Sequence, residues 1–489
     1  MLKNNVLLLK RINISLFFIL MGCCFLVIFY KVINIPITHD ETATTVHYST
    51  FNYWQIMMYP DNWPNNHILN TIIVKFLISI FGAAQWIVRL PNLLSFLIYA
   101  FAIFKINKTV LKLSSLFFVP ATILFIFNPY LLDFFGLCRG YGMSCALCTL
   151  SVSFMISGFI DGKNKSIWLA YLFAVLASYA NFTLLVFWVA IICLSWFYFL
   201  VQFLTQKKKL LLSTILLILF SVAYAALIAI PIIKMQSTNQ FQFWQSLGFY
   251  KGTIVSLVEQ SLYGSPRFST SVINLISIFV VAVVFGNLLY VLIKFLRSKF
   301  NFAMLRSPVF IANGILFLSA GISLLQCKIM HTPNLGGRTA LFFFPMFVIA
   351  FITSLSLIPE LKAKIVQGAF AVILSALLLF QTADTISLKF VREWWFDANT
   401  FDVINYFKKN NPEQQVSLKT NWLFQPSFFF YKYTGKIPNI DLKDYDKNID
   451  INTDAEYYYI NAGDFPILES KFEVVYTINN ERWLLKRKN

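Results

Sequence analysis

Asp40 and Glu41 stand side by side just after an opening apolar run, in the stretch Thr38-His39-Asp40-Glu41. The loop that carries them, residues 34–67, also holds Asp61 and three of the chain's four histidines, and it closes on Pro64-Asn65-Asn66-His67. Residues 1–386 contain only 8 Asp or Glu against 26 Lys or Arg, so three carboxylates in one loop mark it for chemistry or binding. A carboxylate there could take a proton from an acceptor hydroxyl. The pair could instead hold a divalent cation through oxygen ligands, or simply cap a helix N-terminus. In a helix, Asp40, Thr44 and His47 would share one face.

Cationic residues complement the acids. Arg139, in Cys138-Arg139-Gly140-Tyr141-Gly142, and Arg338, in Gly336-Gly337-Arg338-Thr339, each fall at the end of an apolar segment beside glycines that let backbone approach a ligand. A guanidinium clamps phosphate through paired N–H groups. Either arginine alone would read as snorkelling to lipid headgroups; two of them, with His331 and the acidic loop, favour a site. Arg89 has a similar, weaker claim. Trp63 and Pro64 fit an interfacial belt and a turn, which leaves Asn65, Asn66 and His67 less well explained, although a lone His is more often structural. Acids for a hydroxyl or amide nucleophile and cations for an anionic leaving group are what transfer from a lipid phosphate requires.

The elements that must position these residues are membrane helices. The 489-residue chain is 58% hydrophobic, with mean hydropathy +0.67 and repeated apolar runs of about twenty residues. Its net charge of +18 lies wholly in residues 1–386, in short clusters between apolar runs; this is orientation charge and excludes a nucleic-acid footprint. With basic clusters on the cytoplasmic side, the N-terminus is cytoplasmic and the first span is a retained signal anchor. About eleven spans are expected, near 14–33, 90–106, 114–131, 142–160, 167–182, 184–203, 211–231, 271–293, 308–326, 339–357 and 365–383. The stretch 68–82 is read as interfacial or re-entrant. The acidic loop, Arg139, His331 and Arg338 then face outward. Lys207, Lys208, Lys209, Glu360 and Lys362 face the cytoplasm.

Residues 387–489 change character, with 14 acidic and 14 basic residues and strand-like pieces at 415–418, 457–460 and 472–477. They read as a small extracytoplasmic α/β domain, with a helix near 400–409, following the 1–386 membrane domain. All seven cysteines lie in or beside apolar segments, so neither a disulfide framework nor zinc-ribbon spacing is expected. The Ile-, Phe-, Asn- and Lys-rich composition fits an AT-rich bacterium and its cytoplasmic membrane.

Asp40-Glu41 after the first span, Pro64-Asn65-Asn66-His67, Arg89-Leu90-Pro91, Cys138-Arg139-Gly140-Tyr141 and Gly337-Arg338 before a Phe-Pro span together resemble the GT-C glycosyltransferases. The nearest branch is the dolichyl-phosphate-mannose protein mannosyltransferase-like group, which includes the bacterial aminoarabinose transferases. The resemblance covers residues 10–385. It implies a polytopic all-α enzyme with a polyprenyl-phosphate sugar donor, a glycan, lipid or protein acceptor, and an extracytoplasmic site. Asp40 matches the family's acidic base and Glu41 its acidic neighbour. Arg338 matches an arginine that meets the donor phosphate, and Arg139 an arginine before a mid-chain span. Asn66, His67, Arg89, Tyr141 and His331 complete the candidate substrate contacts; a divalent cation is the one candidate cofactor. Aminoarabinose transferases carry Lys-Pro-Pro where this chain has Asn65-Asn66-His67, which makes His67 a candidate substitute at the phosphate. The mannosyltransferases' lumenal repeat insert is absent, and the resemblance names no counterpart for the tail.

Two other readings compete. A transporter or flippase of lipid-linked glycans would place ionisable groups near the midplane, where only Lys75 and Asp133 qualify. A glycan polymerase or ligase would share the lipid donor. The glycosyltransferase reading requires Asp40 and Arg338 to face each other across one slot.

Overall fold

Hydrophobic runs of membrane length set the order of elements. The computed structural model describes residues 2–206, 211–237, 248–299, 306–357, 364–445 and 448–488; the expected cytoplasmic residues Lys207, Lys208, Lys209, Glu360 and Lys362 lie outside them. The chain begins with α1 (Leu2–Asn34), the short α2 (His39–Thr42), α3 (Tyr53–Met57) and α4 (Ile68–Phe81). It continues through α5 (Gln85–Val110), α6 (Phe118–Ile126), α7 (Pro129–Phe135), α8 (Gly140–Asp161), α9 (Asn164–Ala180) and α10 (Leu185–Gln206). Then come α11 (Leu211–Gln236), α12 (Ser256–Ser261), α13 (Thr270–Arg297), α14 (Pro308–Met330), α15 (Phe343–Leu355) and α16 (Lys364–Thr385).

Eight of these helices, α1, α5, α8, α10, α11, α13, α14 and α16, are long and apolar enough to cross a membrane. The pair α6–α7 makes a ninth if its two halves count as one span, bent by 67°. The break falls at Asn128-Pro129, where proline cannot continue the ladder and Asn128 caps the new helix by accepting the Leu131 N–H. That makes eight or nine spans by length and composition among the described residues, against the eleven expected; at the other two expected positions α9 has 17 residues and α15 has 13. Each is shorter than the ~20 residues of a straight crossing. The 14-residue α4 reaches only about 21 Å at ~1.5 Å per residue, in keeping with an interfacial or re-entrant element.

Helix α8 runs through the middle of the bundle and is buried along nearly its whole length, against α5 and α9. Its Gly, Ser, Cys, Ala and Thr content explains this, because small side chains let helix backbones close on one another in lipid. At its first residue, Gly140, a Cβ would collide with the Ala180 carbonyl and the His67 imidazole. Helices α11, α13 and α16 keep most of their apolar surface exposed, as lipid-facing helices do.

The tail forms α17 (Thr400–Asn410), α18 (Gln425–Tyr433), α19 (Phe465–Leu468) and one five-stranded sheet. The strands are β1 (Val416–Thr420), β2 (Ile440–Leu442), β3 (Tyr457–Asn461), β4 (Phe472–Ile478) and β5 (Arg482–Arg487). They lie in the order β2-β1-β3-β5-β4, with β1 parallel to both neighbours and β5 antiparallel to both of its own. The helix near 400–409 and three of the strands were legible beforehand. β5 was not, since Arg482, Lys486 and Arg487 hide its alternation, and β2 has only three residues.

The tail is more than an appendage, because its core is continuous with the first loop. Ile37, Val74, Val88 and Cys138 cluster with Val403, Leu418, Phe428 and Tyr431. Tyr431 Oη accepts the Ile37 N–H (2.8 Å) and donates to Gln85 Oε1 (2.7 Å), while Ser427 Oγ donates to the Ile37 carbonyl (2.6 Å). Tyr431→Phe leaves a buried N–H and a buried amide oxygen unpaired, at about 1–3 kcal/mol for each group. The variant should melt at lower temperature in detergent, and an unchanged melting curve would show that the tail does not brace the loop.

Candidate active site

The site begins at the C-terminus of α1, whose last carbonyls have no partner within the helix. Arg89 and Gln85, from the first turns of α5, supply them. Arg89 donates to the carbonyls of Lys31, Val32, Ile35 and Pro36, and Gln85 Nε2 to those of Val32, Ile33 and Ile35. The same guanidinium meets Glu41 with Nε–Oε1 at 2.8 Å and Nη2–Oε2 at 2.7 Å, both side chains fully buried. Glu41 also accepts the Thr38 N–H (2.9 Å) and the Cys138 N–H (2.6 Å). Both its oxygens are taken. Glu41 and Arg89 are expected to act on substrate; the structure encloses both and pairs them with each other and with the loop backbone. This closure also keeps Glu41 from sharing a cation with Asp40. Among the described residues, no three His, Cys, Asp or Glu side chains gather as a metal site.

Asp40, the next residue back on the one-turn helix α2, points the other way. Its Oδ2 lies 3.6 Å from Arg139 Nη2 and 3.4 Å from Arg338 Nη2, so residues 99 and 298 positions apart converge on one carboxylate. These are ion-pair distances, and Oδ2 has no hydrogen bond in the structure. Burial works against its charge, but Arg139, Arg338 and His39 outweigh it and hold the carboxyl below the usual carboxylate range. Arg139 is almost fully enclosed. It donates through Nη1 to the carbonyls of Asp40 and Asn65 (3.1 Å each) and to Thr44 Oγ1 (3.4 Å), and through Nη2 to Asn65 Oδ1. Arg338 is 29% exposed and is the more accessible cation. Gly337 before it adopts φ +52°, which glycine takes without strain, and its N–H donates to Ser256 Oγ (3.0 Å). Around Arg338, burial opposes the charge while Tyr141, Asp40, Glu393 and Tyr130 favour it and hold its pKa above the ordinary value.

The expected shared face of Asp40, Thr44 and His47 forms only in part. After Thr42 the chain winds as a π-helix over Ala43–His47, and the wider turn carries His47 away to Asp61 (Nε2–Oδ2 2.9 Å). Thr44 stays, under Arg139. Asn66 is spent within its own loop: its N–H donates to Tyr59 Oη (3.2 Å), Nδ2 to the Ile56 carbonyl (3.1 Å), and Oδ1 accepts from Thr71 (2.9 Å). Asn66 is expected to contact substrate; it is its neighbour Asn65 that meets Arg139. His67 packs edge-on to Tyr141, ring centroids 4.8 Å apart, and its Nδ1 lies 3.1 Å from the Ala180 carbonyl. A carbonyl accepts only, so Nδ1 carries the proton and the buried, unpartnered Nε2 is an acceptor. Burial lowers the His67 pKa well below its ordinary value, aided by Arg139 and Arg338 against the Ala180 bond. A neutral imidazole in this tautomer suits a hydroxyl donor and not the phosphate first expected. His331 is exposed at the end of α14, with φ +53°; among the described residues no hydrogen bond or ion pair joins it to Asp40 or Arg338.

Residues 392–397, between α16 and α17, went unnoticed in the sequence. Glu393 Oε1 accepts from Arg338 Nη1 (3.2 Å) and Oε2 from Tyr130 Oη (2.8 Å), while Trp394 covers the Arg338 guanidinium at 5.0 Å. Asp397 Oδ2 accepts the His39 N–H (2.8 Å). Burial pushes its pKa well up, and Glu41 and Asp40 add to this against the His39 bond and Arg482. The balanced charge of the tail concealed both acids.

Comparison with solved structures finds similar chains at low identity. ArnT from Cupriavidus metallidurans in the apo state is similar over 96% of this chain and 97% of that one, at 11% identity and a TM-score of 0.40. The same protein bound to undecaprenyl phosphate gives 12% identity over the same shares, with a TM-score of 0.39. The oligosaccharyltransferase of Archaeoglobus fulgidus, tethered with an acceptor peptide, is similar over 98% of this chain and 74% of that one, at 10% identity and a TM-score of 0.47. No protein-family model and no curated protein matches the chain.

If Glu41 and Arg89 position the loop, they should behave as a coupled pair. Arg89→Met strands a buried carboxylate and should cost about 3–5 kcal/mol, whereas the double variant Glu41→Gln/Arg89→Met should recover a large part of it. Additive losses in detergent unfolding would show that the two act separately.

Proposed function

We propose that the protein is a membrane glycosyltransferase that moves a sugar from a polyprenyl-phosphate donor to an extracytoplasmic acceptor. One observation carries the reading: Asp40 lies between Arg139 and Arg338 at the ends of three different helical passages. In the reaction, Asp40 takes the proton of the acceptor hydroxyl or amide as its oxygen or nitrogen attacks the anomeric carbon. The bond from that carbon to the phosphate oxygen breaks, and the polyprenyl phosphate departs with the electron pair, held by Arg338. Attack opposite the leaving group inverts the anomeric centre. Arg139 holds the Asp40 backbone, and His67 Nε2 offers an acceptor to a substrate hydroxyl.

The charges suggest an order of events. With both arginines free of phosphate, Asp40 is a weak base. A donor phosphate on Arg338 offsets that cation and restores basicity to Asp40, so proton removal is favoured once the donor is in place. Donor and acceptor would meet outside the cytoplasm, with the tail on the same face.

The transport reading gains little from the ionisable groups that suggested it. Asp133 pairs with Lys31 and accepts from Tyr263 Oη (2.8 Å) and the Arg392 N–H (2.9 Å), which closes it into a structural tie. Lys75 Nζ donates to the Ser49 carbonyl (2.8 Å). A ligase acting on an oligosaccharide donor would use the same base and clamp, and the mass of the product separates the two.

Asp40→Asn should lower transfer by roughly 10²–10⁴-fold while the protein still inserts and binds donor; near-normal turnover would remove the proposed base. The pH profile gives a separate check. In kcat/KM for the donor, which reads the donor-free enzyme, wild-type Asp40 stays ionised to below its ordinary 3.8, so its acid limb should not appear at about pH 5–8. Arg338→Gln removes a cation while burial remains, so the limb in residual activity should move upward in pH. A downward or absent shift would separate Asp40 from the reaction.

A further inference from the structure

Arg338 is already occupied. Nη1 lies on Glu393 and Nη2 on Asp40, and Trp394 covers one face of the guanidinium. A phosphate seeking the paired N–H groups of this arginine finds both ends held by carboxylates of the same chain. Asp40 is fixed from behind, its carbonyl tied to Arg139 and its helix braced by Glu41. Glu393 stands on a strap that breaks helical geometry at Trp394 (φ −123°, ψ 45°), and its other oxygen accepts from the Tyr130 hydroxyl (2.8 Å).

We propose that Glu393 is an internal stand-in for the donor phosphate, a carboxylate that a polyprenyl phosphate displaces from Arg338 when it binds. The inference rests on the glycosyltransferase reading and adds to it the residue that sets how strongly an anion must bind. Charge supports the exchange. Arg139 and Arg338 balance Asp40 and Glu393, so the resting site is neutral and has no surplus attraction for a phosphodiester. With Glu393 moved off Nη1, the remaining trio carries one positive charge and matches the single negative charge of the donor. The resting contact also keeps a half-buried guanidinium paired on both sides.

The strap gives the exchange a reach beyond Arg338. Over six residues it ties the Arg392 N–H to Asp133, Glu393 to Tyr130 and Arg338, and Asp397 to the His39 N–H on the helix that bears Asp40. Displacing Glu393 therefore loosens a segment that also holds the helix of the base, which links arrival of the donor to the neighbourhood of Asp40.

The test is equilibrium binding of undecaprenyl phosphate to the full-length protein in detergent. Glu393→Gln keeps the shape and can still accept from Tyr130, but it loses the charge; it should bind the probe roughly fivefold or more tightly than the wild type. Glu393→Ala should shift in the same direction, and melting curves check that both variants are folded. Equal or weaker binding by both variants would overturn the proposal, since Glu393 would then be uninvolved or would orient Arg338 for phosphate. Arg338→Ala tests the underlying reading separately. If the wild type binds and Arg338→Ala binds equally well, the phosphate is held elsewhere and the donor assignment to Arg338 fails along with the stand-in.

Discussion

Arg89 and Glu41, both cut off from solvent, decide where the chain goes after its first helix, and the site is built on that turn. A helix ending in apolar surroundings exposes carbonyls that water cannot reach. One guanidinium serves several of those carbonyls and also draws in the carboxylate of Glu41. Once Glu41 is fixed inward, its neighbour Asp40 is forced outward, because adjacent residues on a tight helical turn face different sides. The pair contributes orientation more than net stability, given what desolvating two charges costs.

On the outward side the same physics runs in reverse. Asp40 is buried enough to resist ionisation and is kept charged by arginines brought from the N-cap of α8 and from the turn before α15, with His39 adding to them. Arg139 is locked to backbone and to Asn65, whereas Arg338 is partly open and rests on a carboxylate from the strap. A site balanced in this way is neutral when idle and changes its electrostatics when an anion enters. Catalytic groups elsewhere are commonly tuned by such neighbours.

The tail shows how a soluble-looking segment becomes part of a membrane site. Its own sheet and helices bury an ordinary core, and Ser427, Tyr431 and Asp397 then reach the backbone of the loop around Asp40. These contacts use single polar atoms against backbone groups, which leave no pattern in composition or periodicity. Asn65 escaped notice for a similar reason, being one polar residue among several in a turn, while its neighbour Asn66 is consumed within the loop.

What the sequence determined by itself follows from scarcity. In a chain so apolar, the few carboxylates and the arginines at the ends of apolar runs stand out, so Asp40, Arg139 and Arg338, which the fold brings together, could be singled out, as could the helical membrane class and the change of composition in the tail. Adjacent Asp40 and Glu41 could not be told apart, because their opposite roles depend on which side of the turn Arg89 occupies. Nor could the proton position on His67, which the Ala180 carbonyl dictates, or the part played by Glu393, which looks like any surface acid until the strap lays it against Arg338. Composition can show that charges in an apolar chain need partners, but only the packed structure assigns the partners, since they arrive from positions a hundred or more residues away.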